Sequence, residues 1–287
     1  MKINKQYIIC ICIILFVLCC LACKACMHIC FKHKETYALH AKHSKHSKQF
    51  IYCIMITGKD ECRKHFAQVA VENFQRQDYP YKKLVIINHG NFNVIDGINQ
   101  DIFEFHVEKT DDVTLGDLRN IGLEMVPLNA LWITWDDDDW RHDTFLSHLF
   151  KELQESHSDC ITFSNRIEYN TNTRFSWLMH LKQRFFIMLV PKDGRFMYLS
   201  KDTGEDLDFI DFYQKNYKCK VLRDNNPNMY IRMVHVNNTS NYVDVNKKMI
   251  KLEASRNSNY SESDAKPEHQ NYVSSIINTF YKNVPCI

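Results

Sequence analysis

Residues 131–140 read LWITWDDDDW, the most informative segment of the chain. Leu131 to Trp135 is an apolar run of strand length that leads straight into four aspartates, Asp136 to Asp139. Adjacent carboxylates repel one another, so this arrangement costs stability unless a cation or hydrogen-bond donors offset the charge. In an open parallel sheet, ligands bind beyond the carboxyl ends of the strands, where these acids would lie. The segment therefore predicts a ligand site at the edge of a sheet.

The residue types at this site favour a hard divalent cation. Mg²⁺ and Mn²⁺ prefer oxygen ligands and commonly bridge one or two carboxylates to a diphosphate. The four aspartates thus indicate the handling of a nucleotide diphosphate. An acidic surface turn is the alternative, although a buried strand enters the acids and Trp135 and Trp140 bracket them. A calcium loop of the EF-hand type fits poorly, since its alternating acids, central glycine and terminal glutamate are missing.

Strands and helices alternate along the chain around this segment, as in a domain built from parallel crossover units. Asp60 could cap a helix in which Phe66, Val69, Ala70 and Phe74 recur at helical spacing, and Pro80 ends that unit. Further helices are predicted at Leu115 to Met125 and at about Asp143 to His157. The predicted strands are Phe50–Thr57, Leu84–Ile87, Ile102–Val107, Leu131–Trp135, Cys160–Phe163 and Phe185–Val190. The pattern predicts one α/β domain with a mainly parallel central sheet.

Two later segments could join the site. Gly204 to Phe209 (GEDLDF) puts acids at the start of an apolar helix, where capping and the helix dipole explain them equally well. A carboxylate so placed could also accept a proton from a hydroxyl nucleophile. Tyr230 to His235 (YIRMVH) alternates like a strand, so His235 could bind a metal and Arg232 a phosphate. A single histidine at a strand end is more often structural.

Together these segments resemble the inverting family-2 glycosyltransferases of the glycosyltransferase-A fold, a Rossmann-like domain, over about Phe50 to Tyr242. Several motifs carry the resemblance in the order of the family. They are the opening strand Cys53–Thr57 with Gln77–Pro80 and Leu84–Gly90, the stretch Leu115–Gly122 similar to an LG-x-x-RN-x-G helix, Asp136–Asp139 at the Asp-x-Asp motif, Gly204–Asp206 at the Glu-Asp catalytic motif, and Tyr230–Ser240 at the late Arg/His/Asn-Thr strand.

The resemblance implies a metal-dependent transferase that uses a nucleotide-diphosphate sugar as donor. Asp136 would hold the donor ribose, and Asp138 would hold the divalent cation, Mn²⁺ or Mg²⁺, on the diphosphate. Asp206, beside Glu205, would be the general base that deprotonates a hydroxyl of a glycan, protein or lipid acceptor, which attacks the anomeric carbon with inversion. The other implied ligands are Asp136 and His235 for the metal, and Thr57, His89, Arg119, Asn120 and Arg232 for the donor.

The chain departs from the family at two places near the expected base pocket. It has Ile56 to Lys59 (ITGK) where the family usually has Pro-Thr-Tyr-Asn, and Asn88-His89 where the family usually has an aspartate pair. A catalytically inactive binding module is therefore the alternative function. A nucleotidyltransferase is a second alternative, which the absence of a Gly-rich phosphate loop disfavours.

The amino terminus predicts a membrane anchor. Tyr7 to Cys23 contains 17 residues without a charge, close to the short limit for spanning a hydrocarbon core of about 30 Å. A cleaved signal peptide is the alternative, but the cleavage context around Ala22 is poor. More lysines follow this segment than precede it, which predicts a single-pass membrane protein with its catalytic domain in the cytoplasm.

Composition excludes several other classes of protein. The formal net charge of +2 disfavours a generally basic nucleic-acid binder. Of the 12 cysteines, seven lie in the first 30 residues, and the five in the body are scattered without a CxxC pair. This argues against a disulfide scaffold and a structural zinc site, and unpaired cysteines fit a reducing compartment. The predicted parts are an anchor at 1–31, a basic stalk at 32–49, a catalytic domain at 50–245, and a polar linker with a terminal helix at 246–287.

Overall fold

The computed structural model describes residues 49–58, 61–97, 99–108, 110, 112–182, 187–223, 225–235, 238, 242–245, 248–251 and 260–284. The α-helices are α1 (Glu61–Arg76), α2 (Leu115–Glu124), α3 (Phe145–Ser156), α4 (Glu205–Asn216) and α5 (Pro267–Ile276). The strands are β1 (Ile51–Thr57), β2 (Lys82–Asn88), β3 (Ile102–His106), β4 (Leu131–Thr134), β5 (Trp140–Arg141), β6 (Cys160–Phe163), β7 (Asn165–Asn170), β8 (Phe175–Leu181), β9 (Met188–Pro191), β10 (Cys219–Leu222), β11 (Tyr230–Val234), β12 (Tyr242–Val245), β13 (Lys248–Lys251) and β14 (Tyr260–Asp264).

A seven-stranded sheet of order β10-β6-β9-β4-β1-β2-β3 forms the centre of the domain. Its strands pair in parallel except at β9, which runs antiparallel to both of its neighbours. β1 and β2 lie in register from Ile51 opposite Lys82 to Thr57 opposite Asn88. Their carboxyl ends therefore finish side by side, next to the chain that leaves β4 for the four aspartates.

Helices cover both faces of this sheet, which explains why its central strands are apolar throughout. On one face α1 and α3 pack against side chains such as Met55 and Ile133. On the other face α4 packs against Trp132 and α2 against Ile54 and Ile87. Gly116 in the first turn of α2 lies so close to the 196–200 segment that an added Cβ would stand 2.0 Å from the Leu199 carbonyl oxygen. Only a glycine permits that approach.

A second sheet, of order β14-β8-β7-β11-β5, adjoins the acidic segment. The two-residue strand β5 directly follows the four aspartates and pairs antiparallel with the start of β11, with Trp140 opposite Ile231. This pairing brings the end of β11, and with it His235, to the acids. The sequence reasoning predicted β11 but not β7 or β8.

The chain beyond residue 245 contains β14, which pairs with β8, and the helix α5. After α5 a π-helical turn, Ile277–Tyr281, continues the helical stretch. Val273, Ile276 and Tyr281 are buried in a cluster that also includes Phe66 of α1 and Trp140. The end of the described chain thus packs against the helix that follows the first strand.

Two expectations from the sequence need correction. No helix in the part of the chain described here is both long and apolar enough to cross a membrane, which overturns the predicted single-pass membrane localisation. The longest helix among the described ranges, α1, has 16 residues and spans roughly 24 Å. The predicted anchor lies outside the described residues. Cys62 is disulfide-bonded, contrary to the expectation of unpaired body cysteines, whereas Cys53, Cys160 and Cys219 are free.

Candidate functional site

The four aspartates differ in their exposure to solvent. They follow β4 at its carboxyl end, as predicted, and a hydrogen bond from Trp135 N to Ile54 O (2.8 Å) extends the pairing of β4 with β1. The side chain of Asp136 is 36% exposed, whereas Asp137, Asp138 and Asp139 are buried. One carboxylate is therefore accessible to a ligand, and three require partners inside the protein.

Arg63 is the counter-ion of two of the buried acids. Its Nη1 atom lies 2.6 Å from Asp137 Oδ1 and 2.7 Å from Asp138 Oδ2, and its side chain is 15% exposed. Thr57 Oγ1 donates a hydrogen bond of 2.8 Å to the other oxygen of Asp137. Arg63 is the third residue of α1, and a cation in the first turn of a helix opposes the helix dipole. Its position indicates that the carboxylates hold it there.

Asp138 also contacts the loop that follows β11. Its Oδ2 atom lies 3.0 Å from His235 Nε2 and accepts a hydrogen bond of 3.2 Å from Asn238 Nδ2. The imidazole of His235 is 1% exposed and stacks on the ring of Phe66, with 4.8 Å between the ring centroids. Asn238 Oδ1 accepts a hydrogen bond from the His235 backbone and fixes the turn.

Asp139 connects the two sheets instead of facing a ligand. It accepts hydrogen bonds from the Tyr230 hydroxyl and from the backbone N–H of Met233, at 3.0 Å for the latter. The fully buried guanidinium of Arg141 lies over the ring of Trp135, 4.2 Å from its centroid, and donates to the Asp139 carbonyl at 3.4 Å. We interpret Asp139 and Arg141 as structural.

Arg119 of α2 brings the accessible aspartate together with the acids of α4. Its Nη2 atom lies 3.8 Å from Asp136 Oδ1 and 3.6 Å from Asp206 Oδ1. Its Nε atom is 3.2 Å from Glu205 Oε1 but makes no hydrogen bond among the described residues. Asp206 is 33% exposed and Glu205 is buried. Two partly exposed carboxylates from distant parts of the sequence therefore share one guanidinium.

Asn120, the neighbour of Arg119, holds the segment that precedes α4. Its side chain donates to the Tyr198 carbonyl at 2.9 Å and accepts from the Tyr198 N–H at 2.8 Å. The ring of Tyr198 in turn lies below Arg119, 5.6 Å from the guanidinium carbon. Asn120 thus holds Tyr198 in place next to Arg119.

Burial shifts the ionisation of several of these acids. Burial raises the pKa of Asp137 to about 6, and that of Asp139 to about 7 with help from the charge of Asp138. Burial also opposes ionisation of Asp138, but Arg63 and His235 outweigh it and hold the Asp138 pKa below its ordinary value. Burial and the neighbouring Asp206 raise the pKa of Glu205 to about 7.

The rim formed by the carboxyl ends of β1 and β2 contains Gly58, Asn88 and His89, where the sequence departs from the glycosyltransferase pattern. Gly58 adopts φ +137°, and an added Cβ would stand 2.5 Å from Gly90 N. The His89 N–H donates to the Thr57 carbonyl at 2.9 Å, and the His89 side chain is half-buried. Asn88 donates to Glu104 Oε1 at 2.7 Å, so an aspartate at position 88 would face another carboxylate. The acid at this end of the sheet is Glu104, which lies on β3.

Arg232 lies on the second sheet near a separate buried acid. Its Nη1 atom is 3.6 Å from Glu168 Oε1, which Arg166 Nη2 also contacts at 2.6 Å. These two arginines hold the pKa of Glu168 below its ordinary value against the effect of burial.

The donor set fits a divalent cation in its chemistry. Among the described residues no three His, Cys, Asp or Glu side chains are grouped to hold a metal ion. A cation that binds a diphosphate, however, needs only one or two carboxylates from the protein. Asp138 and His235 offer an oxygen and an imidazole nitrogen 3.0 Å apart, and Asp136 adds an accessible carboxylate.

The structure brings most of the predicted site residues together in two groups. Asp136, Arg119, Glu205 and Asp206 form one group, and Asp138 and His235 form another. The sequence reasoning missed Arg63. Its signal was a basic residue in the first turn of a helix that follows a buried strand, which is an unfavourable place for a positive charge.

Comparison with known proteins gives the fold. No protein-family model and no curated protein sequence matches the chain. The TarS protein of S. aureus in complex with UDP-GlcNAc is similar, with a TM-score of 0.52 and 14% identity over 82% of this chain and 74% of that chain. The UDP complex of TarS gives a TM-score of 0.50 and 16% identity over 65% of this chain and 61% of that chain.

A third solved structure is the mannosyltransferase of Pyrobaculum calidifontis with GDP-Man and Mn²⁺, at a TM-score of 0.46 and 13% identity over 65% of this chain and 57% of that chain. The chain thus spans about three fifths of the length of the TarS–UDP structure. The likeness to TarS confirms the predicted fold in its coarser form, a mixed α/β domain with a mainly parallel central sheet that resembles that of TarS.

Proposed function

We propose that this protein is a glycosyltransferase that moves a sugar from a nucleotide-diphosphate donor to a hydroxyl of a glycan, protein or lipid acceptor, with inversion at the anomeric carbon. One observation carries the proposal. Asp136 and Asp206, the two partly exposed carboxylates of the cluster, lie 3.8 and 3.6 Å from the same Arg119 nitrogen. This juxtaposition puts a group suited to the donor beside a group suited to the acceptor.

Asp206 is the general base in this proposal. Its carboxylate is 33% exposed, so that an acceptor hydroxyl can reach it, and it is ion-paired with Arg119. Glu205 is buried against the same guanidinium and fixes its orientation. The acceptor hydroxyl would lose its proton to Asp206 as its oxygen attacks the anomeric carbon and the bond to the diphosphate breaks.

Asp136 would contact the donor ribose, and Asp138, Asp136 and His235 would hold a divalent cation, Mn²⁺ or Mg²⁺. When bound, the cation would stabilise negative charge on the departing diphosphate. His89, at the rim beside Gly58, and Arg232, on the second sheet, are proposed as further donor contacts. Thr57 contributes by orienting Asp137 through its hydrogen bond.

Calorimetric titration of the full chain with a panel of nucleoside diphosphates, with and without Mn²⁺, tests the proposal. Metal-dependent binding of one nucleotide would support it and would define the donor sugars to assay for transfer. We expect Asp138→Ala to abolish metal-dependent binding. Absence of binding to every nucleotide by a folded sample would refute the proposal.

A binding module without transferase activity is the second candidate. Glu104 favours it, since this carboxylate accepts hydrogen bonds from Asn88 and from the backbone of Val94 and Ile95, and its side chain is almost fully buried. Because its carboxylate is engaged in these hydrogen bonds, Glu104 holds the loop at Val94 and Ile95 and is not free to bind a nucleotide base. A folded sample that binds no nucleotide and transfers no sugar would favour this candidate.

A further inference from the structure

We propose that Arg63 is a resident counter-cation, which occupies Asp138 until a divalent cation replaces it. The inference rests on the proposed function, because it concerns the cation that the transferase would use. It assigns to Arg63 a positioning role that is separate from the chemistry at Asp206.

The contacts around a single oxygen atom carry this inference. Asp138 Oδ2 lies within 2.7 Å of Arg63 Nη1, 3.0 Å of His235 Nε2 and 3.2 Å of Asn238 Nδ2. A carboxylate oxygen has two lone pairs, so three nitrogen atoms at these distances leave no free position for a metal ion. A metal can bind this oxygen only after one of the three groups moves away.

Arg63 is the group that must leave. Its guanidinium has a permanent positive charge, and a divalent cation on the same oxygen would repel it strongly at this range. His235 could remain, because a neutral imidazole is itself a metal ligand. Asn238 also anchors the turn through the His235 backbone.

Arg63 also offsets the cost of burying the acids. A buried carboxylate without a partner is strongly destabilising, and Arg63 supplies a positive charge to Asp137 and Asp138 at once. A displaced guanidinium is also well suited to contact phosphate oxygens. A divalent cation that binds alone would displace Arg63 and offer it no new anion. A cation that binds together with a diphosphate would bring phosphate oxygens that Arg63 can contact.

Calorimetric titration of Mn²⁺ into the full chain without nucleotide tests this competition. Arg63→Met removes the charge and retains an apolar side chain of moderate length. We expect this variant to bind Mn²⁺ about tenfold more tightly than the wild type, because no charge has to be displaced. Arg76→Met is the matched control, since Arg76 lies on the same helix but pairs with Asp143, and we expect it to bind Mn²⁺ as the wild type does.

Thermal unfolding gives a second readout that does not depend on activity. Without metal, the Tm of Arg63→Met should fall below that of the wild type, and Mn²⁺ should raise it by more than it raises the wild-type Tm. If Arg63→Met does not fold, Arg63→Lys tests the inference instead, because lysine keeps the charge but lacks the planar fork of the guanidinium. We expect Arg63→Lys to bind Mn²⁺ with an affinity between those of the wild type and an uncharged variant. The inference is overturned if the folded variant binds Mn²⁺ no more tightly than the wild type.

The two proposals can fail separately. If Arg63→Met gains Mn²⁺ affinity and no nucleotide binds, then the counter-cation is real and the transferase proposal is wrong. If a nucleotide binds with Mn²⁺ and Arg63→Met gains nothing, then the transferase proposal stands and the role of Arg63 is wrong. Adding Asp138→Asn to Arg63→Met should abolish the gain, and a persistent gain would also overturn the inference.

Discussion

Arg63 and Arg119 lie on two different helices of the site, and they are used in opposite ways. Arg63 of α1 makes short contacts to Asp137 and Asp138, which are buried. Arg119 of α2 makes longer contacts, of 3.2 to 3.8 Å, to three acids, of which two are partly exposed. The Arg63 side is closed by its own ion pairs, whereas the Arg119 side leaves carboxylate oxygens accessible.

This difference shows that a partner of opposite charge does not by itself reveal whether a carboxylate is accessible to solvent. Asp138 and Asp206 both contact a guanidinium, but only Asp206 keeps a third of its side chain in solvent. We therefore expect the losses of turnover to arise on the Arg119 side, and the changes of metal affinity to arise on the Arg63 side.

The largest effect is expected at Asp206. Asp206→Asn should lower the turnover number by about 10³-fold, because the amide cannot accept the acceptor proton, and nucleotide affinity should be unchanged. Steady-state transfer assays and calorimetry measure the two quantities. Asp211→Asn, an exposed position on the same helix, is the control and should retain wild-type turnover. Normal turnover of Asp206→Asn would show that the base is another residue.

The next effect concerns Arg119. Arg119→Met should lower the free energy of unfolding by about 3 kcal/mol, because Glu205 is left buried beside Asp206 without a counter-ion. Urea denaturation measures the change. Arg195→Met is the control, since Arg195 pairs with Asp193 while 68% of its side chain is exposed, and we expect little change there. Equal losses in the two variants would contradict a special role for Arg119.

A pH-dependent effect is expected at Glu205, whose pKa is raised from 4.5 to about 7. A raised pKa in the folded state contributes stability below the unfolded pKa, and this contribution is lost as the pH rises through about 7. Between about pH 5 and pH 8 the free energy of unfolding of the wild type should therefore fall by on the order of 2 kcal/mol, and that of Glu205→Gln should not show this fall. Glu155→Gln, at an exposed helix position, should follow the wild type in urea denaturation at both pH values. Parallel pH profiles of the wild type and Glu205→Gln would argue against this titration.

The smallest effect tests the Arg63 side. Thr57→Val removes the hydrogen bond to Asp137 and should lower the free energy of unfolding by about 1 kcal/mol, with no change in nucleotide affinity. Thr279→Val, at an exposed hydroxyl, should have a smaller effect. A loss of nucleotide affinity larger than the loss of stability would show that Thr57 contacts the donor itself.

The central sheet and the position of the acids could be predicted because they depend on local patterns. Apolar runs of strand length alternate with helical spacing, and four aspartates directly after a buried strand can lie only at the carboxyl edge of the sheet. The predicted strand at Cys160–Phe163 agrees with β6 at both ends. The predicted strand at Phe185–Val190 corresponds to β9, but local periodicity does not reveal that β9 runs antiparallel to its neighbours.

The second sheet was missed because its strands do not look like strands of a core. β7 reads NRIEYN, yet all six of its residues are buried, with Arg166 and Glu168 paired to each other inside the protein. Such a strand can be polar in sequence and still be buried because its charged side chains pair with each other. The pattern of apolar residues cannot reveal this, since the compensation is visible only in three dimensions.

The partners of the acids were equally hidden. Arg63 meets Asp137 across 74 residues, and His235 meets Asp138 across 97. A single sequence provides no measure of which distant cation neutralises which acid. The resemblance to the glycosyltransferases located His235 through its motif, but it said nothing of Arg63.

These long separations also have a consequence for folding kinetics. The hydrogen bonds that stabilise the buried aspartates join Asp137, Asp138 and Asp139 to residues 74 to 100 positions away. Contacts of high sequence separation form late, after loop-closure entropy has been overcome. The neighbouring acids would therefore repel one another until the chain has collapsed around them. We expect the folding nucleus to lie in β1, α1 and β2, and the acidic site to be assembled last.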